Sequence, residues 1–546
     1  MKMKKSKLFI VLALVLALGV SLFSGCARGG GAGQTIRYNL GAEPATIDPQ
    51  LNSAVDGATV IVNCFDGLTR LDANDSPVAA IAEKWDVSAD GLTYKFYLRK
   101  DAKWTDGQPV KAQDFIYAWQ RALDPATASE YAYQLYYIKN GQAINEGKMP
   151  VDQLGVKALD DYTLEVTLEA PTPYFLSLTA FPTYMPVRKD VVEKDPQGWA
   201  TRPETYISNG PFKLVEWRQK DAIVLEKNPN WYNADKVKFS RIEMKMLEEA
   251  TSALAAFRTG QLDFIESPPQ AEIPNMVKTG EAQILSNLGT YFYIFNLSPN
   301  AEKIDPAAAK AIKDVRVRKA IALAIDRKAL VENVTKGGQL PATSFVPNGI
   351  PDADGTDFKK KDYFPAEGNV EEAKRLLAEA GYPDGKGFPK LTLIYNTSQG
   401  HQAIAMAIQD MLKKNLGINI ELANQEWKVF QKTRNDKNYI FARHGWLADY
   451  VDPMTFLDMW VTNGGQNNIG YSNPEYDKRI EAAKKEFDQA KRMQLMHEAE
   501  DILMEDMPLI PLYYYTNVVC IKDYVKDVHK SALGFVYFDY GYIEKK

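Results

Sequence analysis

One segment concentrates groups able to hold a charged ligand: Arg443-His444-Gly445-Trp446-Leu447-Ala448-Asp449-Tyr450, followed by Asp452-Pro453. Gly445 lets a backbone come close to a neighbour, and Trp446 beside it supplies a flat apolar wall. Asp449, between Ala448 and an aromatic ring, stands where a carboxylate loses part of its water and so calls for a cation. A structural ion pair or a turn cap would use the same aspartate. A second segment, Asn424-Gln425-Glu426-Trp427-Lys428, is a polar loop directly after an apolar strand pattern, and loops at strand C-termini are where α/β proteins bind ligands. A third, Ala128-Ser129-Glu130-Tyr131-Ala132-Tyr133 with Tyr136 and Tyr137, offers broad amphipathic contact area at low entropy cost, or else an aromatic core layer.

Catalytic and metal signatures are missing. The histidines, His401, His444, His497 and His529, have no zinc-ligand spacing. The sequence contains neither a G-x-S-x-G elbow nor a phosphate-binding P-loop. With 70 acidic residues a paired-carboxylate hydrolase is always conceivable, yet no acidic pair has a suggestive context. A binding protein without metal or cofactor is therefore expected, rather than an enzyme.

The N-terminus indicates export. Lys2, Lys4, Lys5 and Lys7 precede the apolar run Leu8 to Val20, which is shorter than the roughly 20 residues a spanning helix needs and reads as a secretory signal. The run leads into Phe23-Ser24-Gly25-Cys26, which resembles a bacterial lipobox with phenylalanine in place of the usual leucine. Cys26 is then the lipidated first residue of the mature chain. An ordinary signal with an incidental cysteine is the alternative. The glycine-rich stretch to Gln34 reads as a flexible tether. Removing the four lysines takes the net charge from −5 to −9, and no basic stripe suited to nucleic acid remains. Cys64 and Cys520 are too far apart to make a disulfide framework, and buried thiols are expected.

The elements that must position these residues alternate between strand and helix, the pattern of an α/β protein. A body of roughly 510 residues exceeds what one core supports, so two or more lobes are expected. Strands are predicted at Thr35–Leu40, Leu92–Leu98, Leu391–Tyr395, Ile418–Leu422 and Pro508–Tyr515, with a strand following the turn at 159–162. Helices are predicted at Gln113–Leu123, Val315–Val334, Val370–Ala380 and Gln402–Leu416, and an amphipathic stretch runs over Ile480–Met504. Leu391 to Leu422 forms a βαβ unit and hence a parallel strand pair.

Ordered landmarks run along nearly the whole chain. They include Glu43-Pro44, Asp48-Pro49, Lys103-Trp104-Thr105-Asp106-Gly107, Asn209-Gly210-Pro211-Phe212, Asp314-Val315-Arg316-Val317-Arg318 and the two tryptophan segments above. Through them the chain resembles the extracytoplasmic solute-binding proteins of family 5, in particular the oligopeptide-binding branch. The resemblance implies a periplasmic-binding-protein type II clamp of α/β architecture, two lobes with an additional domain. Domain I would comprise 35–66, 189–286 and 513–546, domain II 67–188 and domain III 287–512. It implies a monomeric, lipid-anchored, extracytoplasmic protein that passes short peptides to the permease subunits of an ABC importer. A peptide-signal receptor, a same-fold binder of dipeptides, nickel chelates or glycans, and a secreted hydrolase are the rivals.

By the same resemblance Asp449 meets the ligand's α-ammonium group. Ser53, Ala54 and Val55 on one side, with Gly445 and Leu447 on the other, pair with its backbone. Tyr131, Trp427 and Trp446 wall the side-chain pockets. His401, Arg434 and Arg443 are cations for the terminal carboxylate. The enteric pattern carries glutamates where Ser53 stands and where Ile294 aligns, and an asparagine near Glu266, so Glu266 is expected to restore negative charge near a pocket.

Overall fold

The computed structural model describes residues 33–544, so the expected signal, Cys26 and most of the tether lie outside the described residues. The backbone is organised by an 11-stranded sheet that runs through two lobes. One end holds the parallel pair Leu391–Asn396 and Ile420–Gln425, joined by the helix Gln399–Leu416 as the βαβ pattern requires. Next come Phe441–Leu447 and the strand Gln283–Phe295. The strand Leu509–Ile521 then leads to Phe264–Glu266, Gln34–Asn39 and the antiparallel run Phe239–Lys245, Ala222–Lys227 and Phe212–Arg218.

Two of these strands are 13 residues long, against about 5–6 for an ordinary strand. They pair antiparallel and connect the two halves of the sheet. Their register is regular from Gln283 to Ser286 and again from Thr290, with a shift between Ser286 and Thr290 and another between Tyr291 and Phe292. Such irregularities bend and twist a ladder locally. The expected domain boundaries at 286/287 and 512/513 fall within these crossing strands.

A separate four-stranded antiparallel sheet has the order Ala82–Val87, Thr93–Leu98, Thr163–Thr167, Val156–Asp160. The helix Ala112–Leu123 packs with it, burying Phe115, Ile116, Trp119 and Leu123. Asp114 fixes the start of that helix by accepting from the Lys111 N–H at 2.8 Å. Trp119 Nε1 donates to the Tyr184 carbonyl at 2.8 Å, which ties the helix to the short turn Pro182–Tyr184.

Three expectations need correction. Val315–Val334 is not one helix: Val315–Leu323 ends, Arg327–Leu330 restarts, and Val331–Thr335 continues as a wider π turn. Apolar spacing persists across the break, which hides it. The break is held by Arg327, which is wholly buried and makes no ion pair among the described residues. Its Nη1 donates to the carbonyls of Ala322 (3.0 Å) and Ile325 (3.1 Å), and its Nε donates to that of Pro511 (2.7 Å) in the second crossing strand. Asp326 caps the new helix through the Ala329 N–H. The stretch Ile480–Met504 likewise divides into Pro474–Lys485 and Gln489–Asp506, because Asp488 accepts from the Lys491 N–H and starts a second helix. The segment 424–428 is no loop: Asn424 and Gln425 end the strand, and Glu426 caps the helix Trp427–Asn435. Cys64 and Cys520 are buried free thiols, as expected.

Replacing Arg327 with methionine should preserve volume but strand three buried carbonyls, at about 1–3 kcal/mol for each group left unpaired. Urea unfolding of Arg327→Met should show a loss of roughly 3 kcal/mol or more. An unchanged midpoint would contradict the role assigned to this side chain.

Candidate functional site

The strand Phe441–Leu447 is paired along its whole length with the first crossing strand, from Phe441 opposite Phe295 to Leu447 opposite Gly289. On its other side the strand Leu391–Asn396 touches it only at Phe441 and Ala442. From Arg443 to Leu447 that edge has no strand neighbour among the described residues. The Ala448 N–H donates to the Leu288 carbonyl at 2.7 Å. Antiparallel alternation then places Trp446 and His444 in the bonded pairs and turns the peptide groups of Gly445 and Leu447 to the open edge, where the Gly445 N–H meets His444 Nδ1 at 2.7 Å. Gly445 is required here by space, since a Cβ would lie 2.2 Å from the Tyr515 hydroxyl oxygen.

Ser53 and Ala54 are half-buried, and Ala54 is extended (φ −139°, ψ 153°) immediately before the helix Val55–Cys64. A Cβ on Gly534 would lie 2.5 Å from Leu447 Cδ1 and 3.4 Å from Val55 Cγ1. Val55 and Leu447 therefore border the same spot, which brings the two expected backbone-pairing segments together.

Asp449 lies at one end of this edge and is 8% exposed. Its Oδ1 accepts from the Tyr131 hydroxyl at 3.1 Å and its Oδ2 from Gln134 Nε2 at 2.8 Å, both on the short helical segment Ala132–Tyr137 and the residue before it. No cation pairs with it among the described residues. Burial pushes its carboxyl well above the ordinary range, and the two hydrogen bonds only partly offset this. Trp446 is stacked on Tyr131 with ring centres 6.1 Å apart, and its Nε1 has no partner among the described residues.

The other end is cationic. Arg443 lies over the Tyr291 ring at 4.9 Å, donates from Nη2 to the Tyr515 hydroxyl at 3.1 Å, and makes no ion pair among the described residues. Arg434, 7% exposed, has an unpartnered Nε and no ion pair among the described residues. Burial, then the charge of Arg443, lower its pKa to about 10, so it stays charged at neutral pH. His401 differs from the expectation of a third cation. Burial, followed by Arg443, pushes its pKa well below the usual value. Its Nδ1 is 3.1 Å from the Tyr291 hydroxyl. The ring is a neutral hydrogen-bonding group.

Trp427, expected as a pocket wall, is half-buried and acts as a clasp: its Nε1 donates to Asp56 Oδ2 at 3.0 Å, and Lys428 Nζ is 3.2 Å from Glu43 Oε2. Burial pushes the Asp56 carboxyl up to about 6. Glu266 adds no free charge, because Lys530 Nζ pairs with it at 2.8 Å and the Tyr38 hydroxyl donates to it. Ile294 is wholly buried in the first crossing strand. Sequence reasoning missed Gln134, Asp56, Tyr291 and Tyr515. Gln134 could have been noticed as the one amide inside the tyrosine cluster. The others carried no signal beyond apolar strand and helix patterns.

Residues 76–468 match the family described as bacterial extracellular solute-binding proteins, family 5 Middle. The chain is 39% identical over 563 residues to the oligopeptide-binding protein OppA of Bacillus subtilis (strain 168), covering 99% of this chain and 100% of that one. It superposes on Haemophilus influenzae OppA in complex with RPPGFSPFR with a TM-score of 0.86 at 34% identity, covering 94% of this chain and 99% of that one. The murein tripeptide-binding protein MppA of Escherichia coli gives 0.86 at 35% identity in one structure (94% and 99% covered). In its unliganded open form it gives 0.62 at 34% (94% and 98% covered). The lobes here thus have the arrangement of the first MppA structure, not of the open one.

Asp449 and Asp56 both hold a proton more tightly in this arrangement than in an open, hydrated cleft. Ligand-free closure should therefore take up protons and be favoured as pH falls. For Asp56 the window lies between an ordinary value of 3.8 and about 6: the gain is complete below it and lost as pH rises through 6. His401 and His444, whose pKa values burial lowers, act in the opposite sense below their ordinary 6.5, so the Asp56 contribution is read as a difference. Small-angle scattering of the ligand-free protein should show that Asp56→Asn loses the part of the pH dependence of the radius of gyration that falls between about 4 and 6. The same pH profile in wild type and Asp56→Asn would contradict this coupling.

Proposed function

Since this chain belongs to the family-5 bacterial extracellular solute-binding proteins, of periplasmic-binding-protein type II fold, we propose that it captures short peptides outside the cytoplasm for an ABC importer. One observation carries the reading. A buried carboxylate with no cation beside it lies at one end of an open strand edge, and two guanidiniums without an ion pair among the described residues, half-buried Arg443 and buried Arg434, lie at the other. An extended peptide with free ends has the complementary layout: an ammonium, a ladder of N–H and C=O groups, and a carboxylate.

In this reading Asp449 takes the α-ammonium group. The peptide adds as a strand between Ser53–Val55 and Gly445–Leu447, so main-chain hydrogen bonds carry affinity and side chains carry little. Tyr131, Trp427 and Trp446 wall the side-chain pockets, where waters adapt to different residues at small cost. Arg443 and Arg434 receive the terminal carboxylate, with neutral His401 as a donor, and peptide length selects among them. Domains I and III hinge on the crossing strands, and domain II closes over the ammonium end.

The same reading makes the protein a monomer tethered through a diacylated Cys26 beside the permease subunits it serves. Two acyl chains suit stable anchoring, since each buried methylene contributes only about 0.8 kcal/mol. Cys26→Ser should move the protein from the detergent phase to the aqueous phase on partitioning. Unchanged partitioning would refute the anchor.

The decisive experiment concerns the N-terminus of the ligand. N-acetylation removes the cation and leaves Asp449 buried without a partner, so acetylated peptides should lose about 2–5 kcal/mol of binding free energy. Asp449→Asn should cost free peptides a comparable amount. Titration calorimetry with matched free and acetylated peptides measures both. Equal affinities would remove Asp449 from the ligand site.

A further inference from the structure

The two edges of the 11-stranded sheet are Ile420–Gln425 and Phe212–Arg218. Along the strand order they stand nine spacings apart, which at about 4.8 Å each would be roughly 43 Å in a flat sheet. In this arrangement both edges meet at one side chain, Glu43. Trp217, on the second edge, donates from Nε1 to Glu43 Oε1 at 3.1 Å, and the Lys220 N–H donates to the same oxygen at 3.2 Å. The other oxygen, Oε2, faces Lys428 Nζ, just past the first edge, at 3.2 Å. The Glu43 side chain is 9% exposed and that of Lys428 38%. A fixed, nearly buried carboxylate is thus met by a cation whose stem reaches in from solvent.

Glu426 accepts from the Val429 N–H and starts the helix Trp427–Asn435, so Trp427 and Lys428 leave its first turn toward Asp56 and Glu43. A helix N-terminus carries partial positive charge and disfavours a cation in the first turn. Lys428 therefore gains nothing from its own helix, and its partner lies across the cleft. Among the described residues this is the one ion pair that joins 287–512 to the rest of the chain. Opening about the crossing strands separates the two sheet edges furthest, so a contact between them breaks early in opening. A ligand enters the open cleft before the pair has formed, and leaves only after it has broken. Resting on the cleft as the ligand site, we propose that Glu43 and Lys428 are positioning residues that form the catch of the clamp and set how fast bound ligand leaves. The pair touches no ligand, so its effect on release is common to peptides of different sequence.

Stopped-flow displacement of a fluorescent tetrapeptide by excess unlabelled peptide tests this on wild type, Lys428→Met, Lys428→Arg, Glu43→Gln and the double variant Lys428→Met with Glu43→Gln. Glu43→Gln keeps the Oε1 acceptor for Trp217 and Lys220 and removes only the charge facing Lys428. Lys428→Met and Glu43→Gln should each speed release by about threefold to tenfold, and change the association rate by less than about twofold. The double variant should release no faster than either single one, and Lys428→Arg should stay near wild type. The gap between wild type and Lys428→Met should shrink as salt rises from about 0.01 M to about 1 M, where the screening length falls from about 30 Å to about 3 Å. Release unchanged in Lys428→Met, faster by the same factor in Lys428→Arg, or additive in the double variant would overturn the proposal. A gap that persists at high salt would do so too, because it would mark a packing role. Wild type that binds no tetrapeptide would sink the peptide reading instead. The catch is then read from small-angle scattering of the ligand-free protein, where Lys428→Met should have a larger radius of gyration than wild type and equal radii would overturn it.

Discussion

The closed arrangement holds the Asp449 carboxyl and the Arg434 guanidinium largely out of water and Arg443 half-buried, none of them in an ion pair among the described residues. The effective desolvation penalty is several kcal/mol for each such ion, even after a protein relaxes around it. Arg443 makes matters worse for Arg434 by lying close enough to repel it. A peptide's two termini carry the complementary charges. On the assignment proposed above, the groups that oppose empty closure are the groups that favour loaded closure, and the clamp gains a bias toward filled states from desolvation alone. Protonation of Asp449 and Asp56 is the other route by which the same penalty falls.

The charged ends explain why the middle of the site can be permissive. Affinity drawn from termini and from an open strand edge depends little on which side chains lie between them. The walls are rigid rings: Tyr131 against Trp446 and Phe181, and Trp427 against Phe430. The one carboxylate that the sequence suggested as a selective feature, Glu266, is already neutralised by Lys530. Charge selectivity for ligand side chains therefore does not come from that position.

Much of this was legible in the sequence where type and spacing are diagnostic. The parallel βαβ unit followed from its apolar runs, and Asp449, Arg443 and Gly445 stood out through the segment that carries them. What was hidden arises between distant parts of the chain. The break before Arg327 depends on a guanidinium reaching carbonyls both near it and at Pro511, while the local apolar period continues unbroken. Neutral His401 reflects its enclosure and the nearness of Arg443, neither of which spacing records. Trp427 was expected on a loop because Asn424–Glu426 is polar, yet those residues end a strand and cap a helix.

The order of strands in the large sheet bears on how the chain is made. Leu509–Ile521 lies between Gln283–Phe295 and Phe264–Glu266, and the latter pairs onward with Gln34–Asn39. The first lobe's sheet thus lacks an inner neighbour until nearly the whole polypeptide has been synthesised. Pairings so distant in sequence are slow to form, because the loop-closure entropy is paid before the contacts reward it. Folding of the first lobe is thus coupled to completion of the chain: Gln34–Asn39 and Phe264–Glu266, both in the first half of the sequence, are locked into the large sheet only once a strand close to the far end is in place.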